Sequence, residues 1–265
     1  VGSDRSGLVK YDIRQKEVID YSWLIPAVNA TTIYCIYKDI NNTIWIGTDN
    51  GIVKVANRDA TFINIPFVLN GNEIKNIRCR RITADNKGNL YAATENYGLL
   101  KKTMTAQGKD TTIPLSTYGA VPVSDLPVDG NCVRIKLNAQ NDIGYIYDMY
   151  YEGGDILWLA GWGIGRMDLR TDSLELFLAE GDEEARQKSI NQFSICYDGK
   201  LFWTSGQHNM YTFDPVTRKM LSFRDNKGNM PFENLPCWSL YLKGEWIYAG
   251  SANGLYKINI RTKEV

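Results

Sequence analysis

The chain has 265 residues, 30 Lys plus Arg against 30 Asp plus Glu, and 12% aromatic residues with 16 Tyr among them. That length suits one large all-β domain, and the aromatic content suits half-buried pleated surfaces. A balanced charge with no basic stripe argues against nucleic-acid binding, no apolar run reaches the roughly 20 residues of a membrane span, and the opening "VGSDRSGLVKYD" has neither the basic start nor the apolar middle of a signal peptide.

Taken in chain order, six segments repeat one hairpin pattern: "VGSDRSGLVKYD" at 1–12, "WIGTDNGIVKVAN" at 45–57, "YAATENYGLLKKT" at 91–103, "WLAGWGIGRMDLRT" at 158–171, "WTSGQHNMYTFDPVT" at 203–217 and "YAGSANGLYKINIRT" at 248–262. A large residue and a small one end a strand, the small one leaving room where neighbouring sheets approach. A turn follows at Gly7, Gly51, Gly98, Gly163, Asn209 or Gly254, and the next strand alternates. Successive turns lie 44, 47, 65, 46 and 45 residues apart, and four of these gaps match the period of a four-stranded propeller blade, about 40 to 50 residues. Upstream of the turns, "CIYKDINNTIW", "RITADNKGNLY" and "SICYDGKLFW" read as hairpins closed by Asp, Asn and Gly.

The predicted fold is therefore an all-β propeller of four-stranded antiparallel blades, five full blades plus a half blade. The 65-residue gap holds "TAQGKDTTIPLSTYGAVPVSDLPVDGN", residues 105–131, read as an inserted loop or extra hairpin between blades. "AEGDEEARQKSIN", 179–191, has the one plausible helical turn but reads as a solvated connector. Because the first unit begins at its inner turn, the sequence is expected to be a piece of a longer protein.

No catalytic constellation is visible. Cys35, Cys79, Cys132, Cys196 and Cys237 form no CxxC pair, their odd count argues against a complete disulfide framework, and they read as thiols packed in strands. The lone His208 completes neither a zinc cluster nor a Ser/His/Asp arrangement. Asp182, Glu183 and Glu184 lie side by side in the connector, and "DNKGN" at 85–89 and 225–229 reads as a hairpin turn, since it lacks the downstream Glu of a calcium loop. No metal or cofactor is expected.

At "NNTIWIGTDNGIVKV" the sequence resembles the two-component-regulator propeller repeat. Residues 45 to 52, Trp-Ile-Gly-Thr-Asp-Asn-Gly-Ile, carry the resemblance most fully; "GSDRSGLVKYD" matches its second half, "GNLYAATENYGLLK" and "WIYAGSANGLYKI" match loosely, and residues 203–214 depart furthest. The resemblance implies a periplasmic sensor region of a hybrid histidine kinase, anchored in the inner membrane through other parts of its polypeptide. It implies an oligosaccharide ligand, a homodimer and no enzymatic activity in this chain, the kinase lying elsewhere. Within such a fold the inner turns gather at one face, which nominates Arg5, Asp49, Asn50, Asn96, Tyr97, Trp162, Gln207, His208 and Asn253 as ligand-binding residues, with segments 66–76, 103–144 and 224–236 at the rim. Rings beside amides and charges suit sugars, although Asp-Asn-Gly and Ala-Asn-Gly are good turn sequences in their own right. Two alternatives stay open: a propeller glycoside hydrolase or polysaccharide lyase, and a protein-interaction scaffold.

Overall fold

Three of the hairpins are closed by one local device. The Asp39 carboxylate accepts from the backbone N–H groups of Asn41 and Thr43, both at 2.8 Å, and from the Trp45 indole N–H at 2.9 Å. Asp85 takes the N–H groups of Lys87 and Asn89 and the Tyr91 hydroxyl, and Asp198 takes those of Lys200 and Leu201 and the Trp203 indole. One carboxylate thus satisfies the turn's backbone donors and pins a large ring on the following strand. Burial pushes the Asp39 carboxyl up, but the bonds from Trp45, Thr43 and Asn41 outweigh it and hold the group below its ordinary value.

The inner turns have a device of their own. Hydroxyls of Thr48, Thr94 and Ser251 donate across the turn to the carbonyls of Gly51, Gly98 and Gly254 at 2.9, 2.7 and 3.1 Å. Gly51 sits at φ 109°, a conformation side chains resist, which is why the turn carries glycine there.

The computed structural model describes residues 8–20, 32–39, 41–55, 62–65, 67–69, 72–74, 76–95, 97–103, 111–114, 132–136, 145–171 and 173–265. The chain divides into two units, Val1–Tyr118 and Gly119–Val265. In the first, β1 (Val9–Asp12) pairs with β2 (Glu17–Asp20). A four-stranded meander follows from β3 (Ile33–Lys38), β4 (Ile44–Thr48), β5 (Gly51–Val55) and β6 (Phe62–Ile65), then a hairpin of β7 (Phe67–Leu69) and β8 (Asn72–Ile74). A second meander joins β9 (Cys79–Ala84), β10 (Leu90–Thr94), β11 (Gly98–Thr103) and β12 (Thr111–Pro114), the last lying within the 105–131 stretch.

The second unit opens with a five-stranded sheet of β13 (Cys132–Lys136), β14 (Asp148–Gly153), β15 (Ile156–Gly161), β16 (Gly163–Asp168) and β17 (Ser173–Phe177), in which β13 adds outside β17. After α1 (Glu183–Lys188) come a four-stranded meander, β18 (Gln192–Tyr197), β19 (Phe202–Gly206), β20 (Met210–Asp214) and β21 (Lys219–Ser222), and a three-stranded one, β22 (Cys237–Lys243), β23 (Trp246–Ser251) and β24 (Gly254–Asn259).

These sheets correct the sequence expectation of a β-propeller. Uniform four-stranded blades are absent: the described sheets hold two, four, two, four, five, four and three strands, and none closes on itself. The physical reason is that alternation and turn residues act between strands adjacent in the chain. They specify each hairpin, but neither the number of strands per sheet nor a ring, so a regular repeat protein is not what forms.

The connector at 179–191 also differs from expectation by forming helix. Asp182 caps it, its side chain accepting from Ala185 N–H at 2.9 Å, with Glu183 and Glu184 in the first turn where the helix dipole favours negative charge.

Apolar packing lies between neighbouring sheets within each unit. In the first, Trp45, Ile52, Phe67, Cys79, Ile82 and Leu100 share one cluster. Gly47 shows how tightly the sheets meet, since a Cβ there would lie 2.7 Å from both the Cys35 sulfur and the Cys79 carbonyl. In the second, Trp158, Phe177, Phe202 and Phe213 pack together, and Trp203, Phe223, Phe232 and Ile247 form the next layer. Cys35, Cys79, Cys196 and Cys237 are free thiols in these strands; Cys132 lies on β13.

Candidate functional site

In the first strand of several sheets the ladder slips by one residue. Opposite β4, Ile33 pairs with Thr48 and Cys35 with Gly47, leaving Tyr34 as the extra residue. Opposite β10, Arg81 pairs with Ala93 and Cys79 with Thr94, leaving Arg80. A bulge of this kind re-aims its side chain out of the regular alternation. Here it brings the Arg80 guanidinium over the Tyr34 ring, 4.5 Å from the centroid, and into an ion pair with Glu95.

Around that stack lies a cleft of about 600 Å³ lined by Tyr34, Asp49, Asn50, Asn76 and Arg78. Asp49 and Asn50 come from the β4–β5 turn. Asp49 is held by the Thr32 N–H donating to its Oδ1 at 3.1 Å, and Asn50 N–H donates to Thr48 Oγ1 at 3.1 Å. Asn76 and Arg78 come from the segment before β9, which is tied to the turn by Gly51 N–H donating to the Ile77 carbonyl at 2.7 Å. Asn76 adopts φ 57°, a left-handed conformation that asparagine tolerates better than most residues.

Electrostatically the cleft is a neutral mosaic. Glu95, whose side chain is only 12% exposed, receives Arg80 and, at 3.3 Å, Arg78. Burial foremost, with the negative charges of Glu95 and Asp49, pushes the Tyr34 phenol above its ordinary value despite the two arginines. Arg80 Nε is buried with no hydrogen-bond partner among the described residues. The cleft therefore offers amide donors and acceptors, a carboxylate, a guanidinium and a phenol that keeps its proton. This set can bond several hydroxyls at once.

Of the nine nominated residues, Asp49 and Asn50 are brought together here, while Arg5 and Asn96 lie outside the described residues. Tyr97 instead packs against the first unit's apolar cluster. Trp162 bridges to Ile190, Gln207 meets Asn191, the His208 carbonyl accepts from Asn234 N–H, and Asn253 N–H donates to Ser251 Oγ. The sequence reading put Asn76 at the end of a rim segment, 66–76, and missed Tyr34, Arg78, Arg80 and Glu95. Aligning the first strands against one another would have put Tyr34 and Arg80 in one register, but strict alternation assigns them faces that the bulges overturn.

Comparison with known proteins places these features in context. Residues 28–50 match the two component regulator propeller family, the region of the nominated turn. An 80-residue stretch is 38% identical to histidine kinase P4 of Formosa agariphila, covering 28% of this chain but 6% of that protein. The extracellular domain of a putative hybrid two component system from B. thetaiotaomicron aligns over all of this chain and 36% of its own, at 17% identity and a TM-score of 0.37, too low for a fold argument. A catalytically inactive virginiamycin B lyase from Staphylococcus aureus, solved with quinupristin, aligns over 96% of this chain and 73% of its own at 13% identity and a TM-score of 0.62. The chain is thus a β-rich domain related to two-component sensor proteins, and it spans a small part of the curated relative. The lyase corrects one expectation: this fold is shared with a catalyst, so the architecture gives no ground for setting enzymatic activity aside.

Proposed function

We propose that this chain is an extracytoplasmic ligand-binding region of a two-component-type sensor, and that the cleft at Tyr34, Asp49, Asn50, Asn76 and Arg78 takes an oligosaccharide. The observation that carries this reading is the convergence of a ring, two amides, a carboxylate and a guanidinium in one cleft. Sugar hydroxyls each donate and accept, and such a mosaic meets them without needing charge on the ligand. Further domains of the same polypeptide and a second copy of the chain are the partners this reading implies.

A thermal-shift screen against purified oligosaccharides tests it. A ligand at 100 times its dissociation constant stabilises the fold by about 2.7 kcal/mol. Arg78→Ala, at a side chain 61% exposed, should leave the unliganded melting temperature nearly unchanged and weaken binding by about 1.5–3 kcal/mol. No shift with any glycan in a broad panel would sink the reading.

A second reading, a lyase acting on such a glycan, is favoured by the fold likeness to the lyase. Mass spectrometry of the incubated glycan separates the two, since a sensor returns it intact and a lyase leaves an unsaturated fragment.

A further inference from the structure

The bulge that builds the first unit's cleft recurs in the second unit with different side chains. Opposite β19, Gln192 pairs with Gly206 and Ser194 with Ser205, so Phe193 is the extra residue. Opposite β23, Cys237 pairs with Ser251 and Ser239 with Gly250, so Trp238 is the extra residue. At the start of β14, Tyr147 N–H donates to the carbonyl of Ala160, the residue already paired with Asp148. Three neighbouring first strands therefore send an aromatic ring out at the same point.

Those rings meet one another. Phe193 and Trp238 stack with centroids 4.7 Å apart and planes 20° apart, and Tyr147 meets Phe193 edge-on at 4.9 Å. Tyr145 extends the row at 5.8 Å from Tyr147. Trp238 is still 57% exposed although Phe193 covers one of its faces.

Beneath the row runs a buried polar network. Ser194 Oγ donates to Asp148 Oδ2 at 2.9 Å, Ile195 N–H donates to the same oxygen at 3.1 Å, and Leu240 N–H donates to Ser194 Oγ at 3.1 Å. The network ties β14, β18 and β22 together one or two residues beyond the rings. The aromatic row is therefore carried on rigid strands whose spacing is fixed from below, the arrangement a preorganised binding surface requires. Exposing a ring of this size gains nothing for the fold, and bulges at the same place in two neighbouring strands mark a selected feature.

We propose that Tyr147, Phe193 and Trp238, flanked by Tyr145, form a binding surface in the second unit for a neutral oligosaccharide. No lysine or arginine belongs to the row, and the Asp148 carboxylate bonded beneath it is buried and engaged. A nucleotide or acidic glycan would find no counter-charge in it. A neutral sugar chain presents a flat C–H face to the open side of Trp238, beside the neighbouring rings, and hydroxyls at its edge to the exposed Ser239. This surface shares a ligand class with the reading of the first unit but rests on separate residues.

Calorimetric titration of the full chain with neutral gluco- and xylo-oligosaccharides tests the assignment. Trp238→Ala should weaken binding about tenfold or more, as loss of one stacking platform does, and Trp238→Phe should restore part of it. Tyr241→Ala, removing a ring 65% exposed on the same strand, should change affinity less than about twofold. Arg78→Ala should leave this binding intact. Binding kept in Trp238→Ala but lost in Arg78→Ala would overturn the aromatic surface while leaving the first unit's cleft standing. Equal loss in Trp238→Ala and Tyr241→Ala, or no binding by any neutral oligosaccharide, would overturn it too.

Discussion

The two units put opposite chemistry into the same slot. In the first, the bulge residues are Tyr34 and Arg80, with Glu95 beside them, and the result is a polar cleft. In the second they are Phe193 and Trp238, and the result is an aromatic row. The bulge position thus belongs to the surface, not to the frame. The apolar clusters and the carboxylate-closed turns hold each sheet without it, so its side chain is free to specify a ligand.

Breaking the frame should therefore cost far more stability than changing the slot. Trp203 is fully buried and its indole donates to Asp198 at 2.7 Å. Trp203→Ala should lower unfolding free energy by about 3–5 kcal/mol in a denaturant titration. An effect as small as that of Trp238→Ala would collapse the distinction between frame and slot.

Asp148 lies between the two categories. Asp148→Ala leaves the Ser194 hydroxyl proton and Ile195 N–H without their acceptor and should cost about 1–3 kcal/mol, while also loosening the ring row above. Oligosaccharide affinity falling with stability would sharpen the argument that the network positions the rings.

The smallest effect belongs to the first unit's slot. The folded state holds the Tyr34 proton beyond the phenol's ordinary value of 10.0, so stability declines as pH rises from there through the folded value. Glu95→Gln removes a negative charge that opposes ionisation and should narrow that window, seen as an earlier phenolate signal in an ultraviolet titration. An unchanged signal would mean that burial, not Glu95, holds the Tyr34 proton.

Much of the local structure was legible in the residues. Asp39, Asp85 and Asp198 sit where a carboxylate can close a hairpin, and "TDNG" announces a turn that Thr48 and Gly51 make. The sheet sizes were not legible, because β13 joins β17 through pairing between Cys132 and Phe177, far apart in sequence, and alternation carries no such information. Of the five residues lining the cleft, two were legible as turn residues. Asp49 and Asn50 belong to a turn, whereas Tyr34 and Arg80 depend on a slipped register that a period of two conceals.

The indoles held by acidic side chains have an experimental use. Trp45, Trp158 and Trp203 donate to Asp39, Glu152 and Asp198, one in each of three sheets, and all three are buried. Retaining one of them at a time, with phenylalanine in place of the chain's other tryptophans to keep the packing filled, would give each sheet its own optical probe, able to report the order in which the layers loosen on heating. The same carboxylate contact that folds a turn thereby lets light distinguish one layer of the molecule from the next.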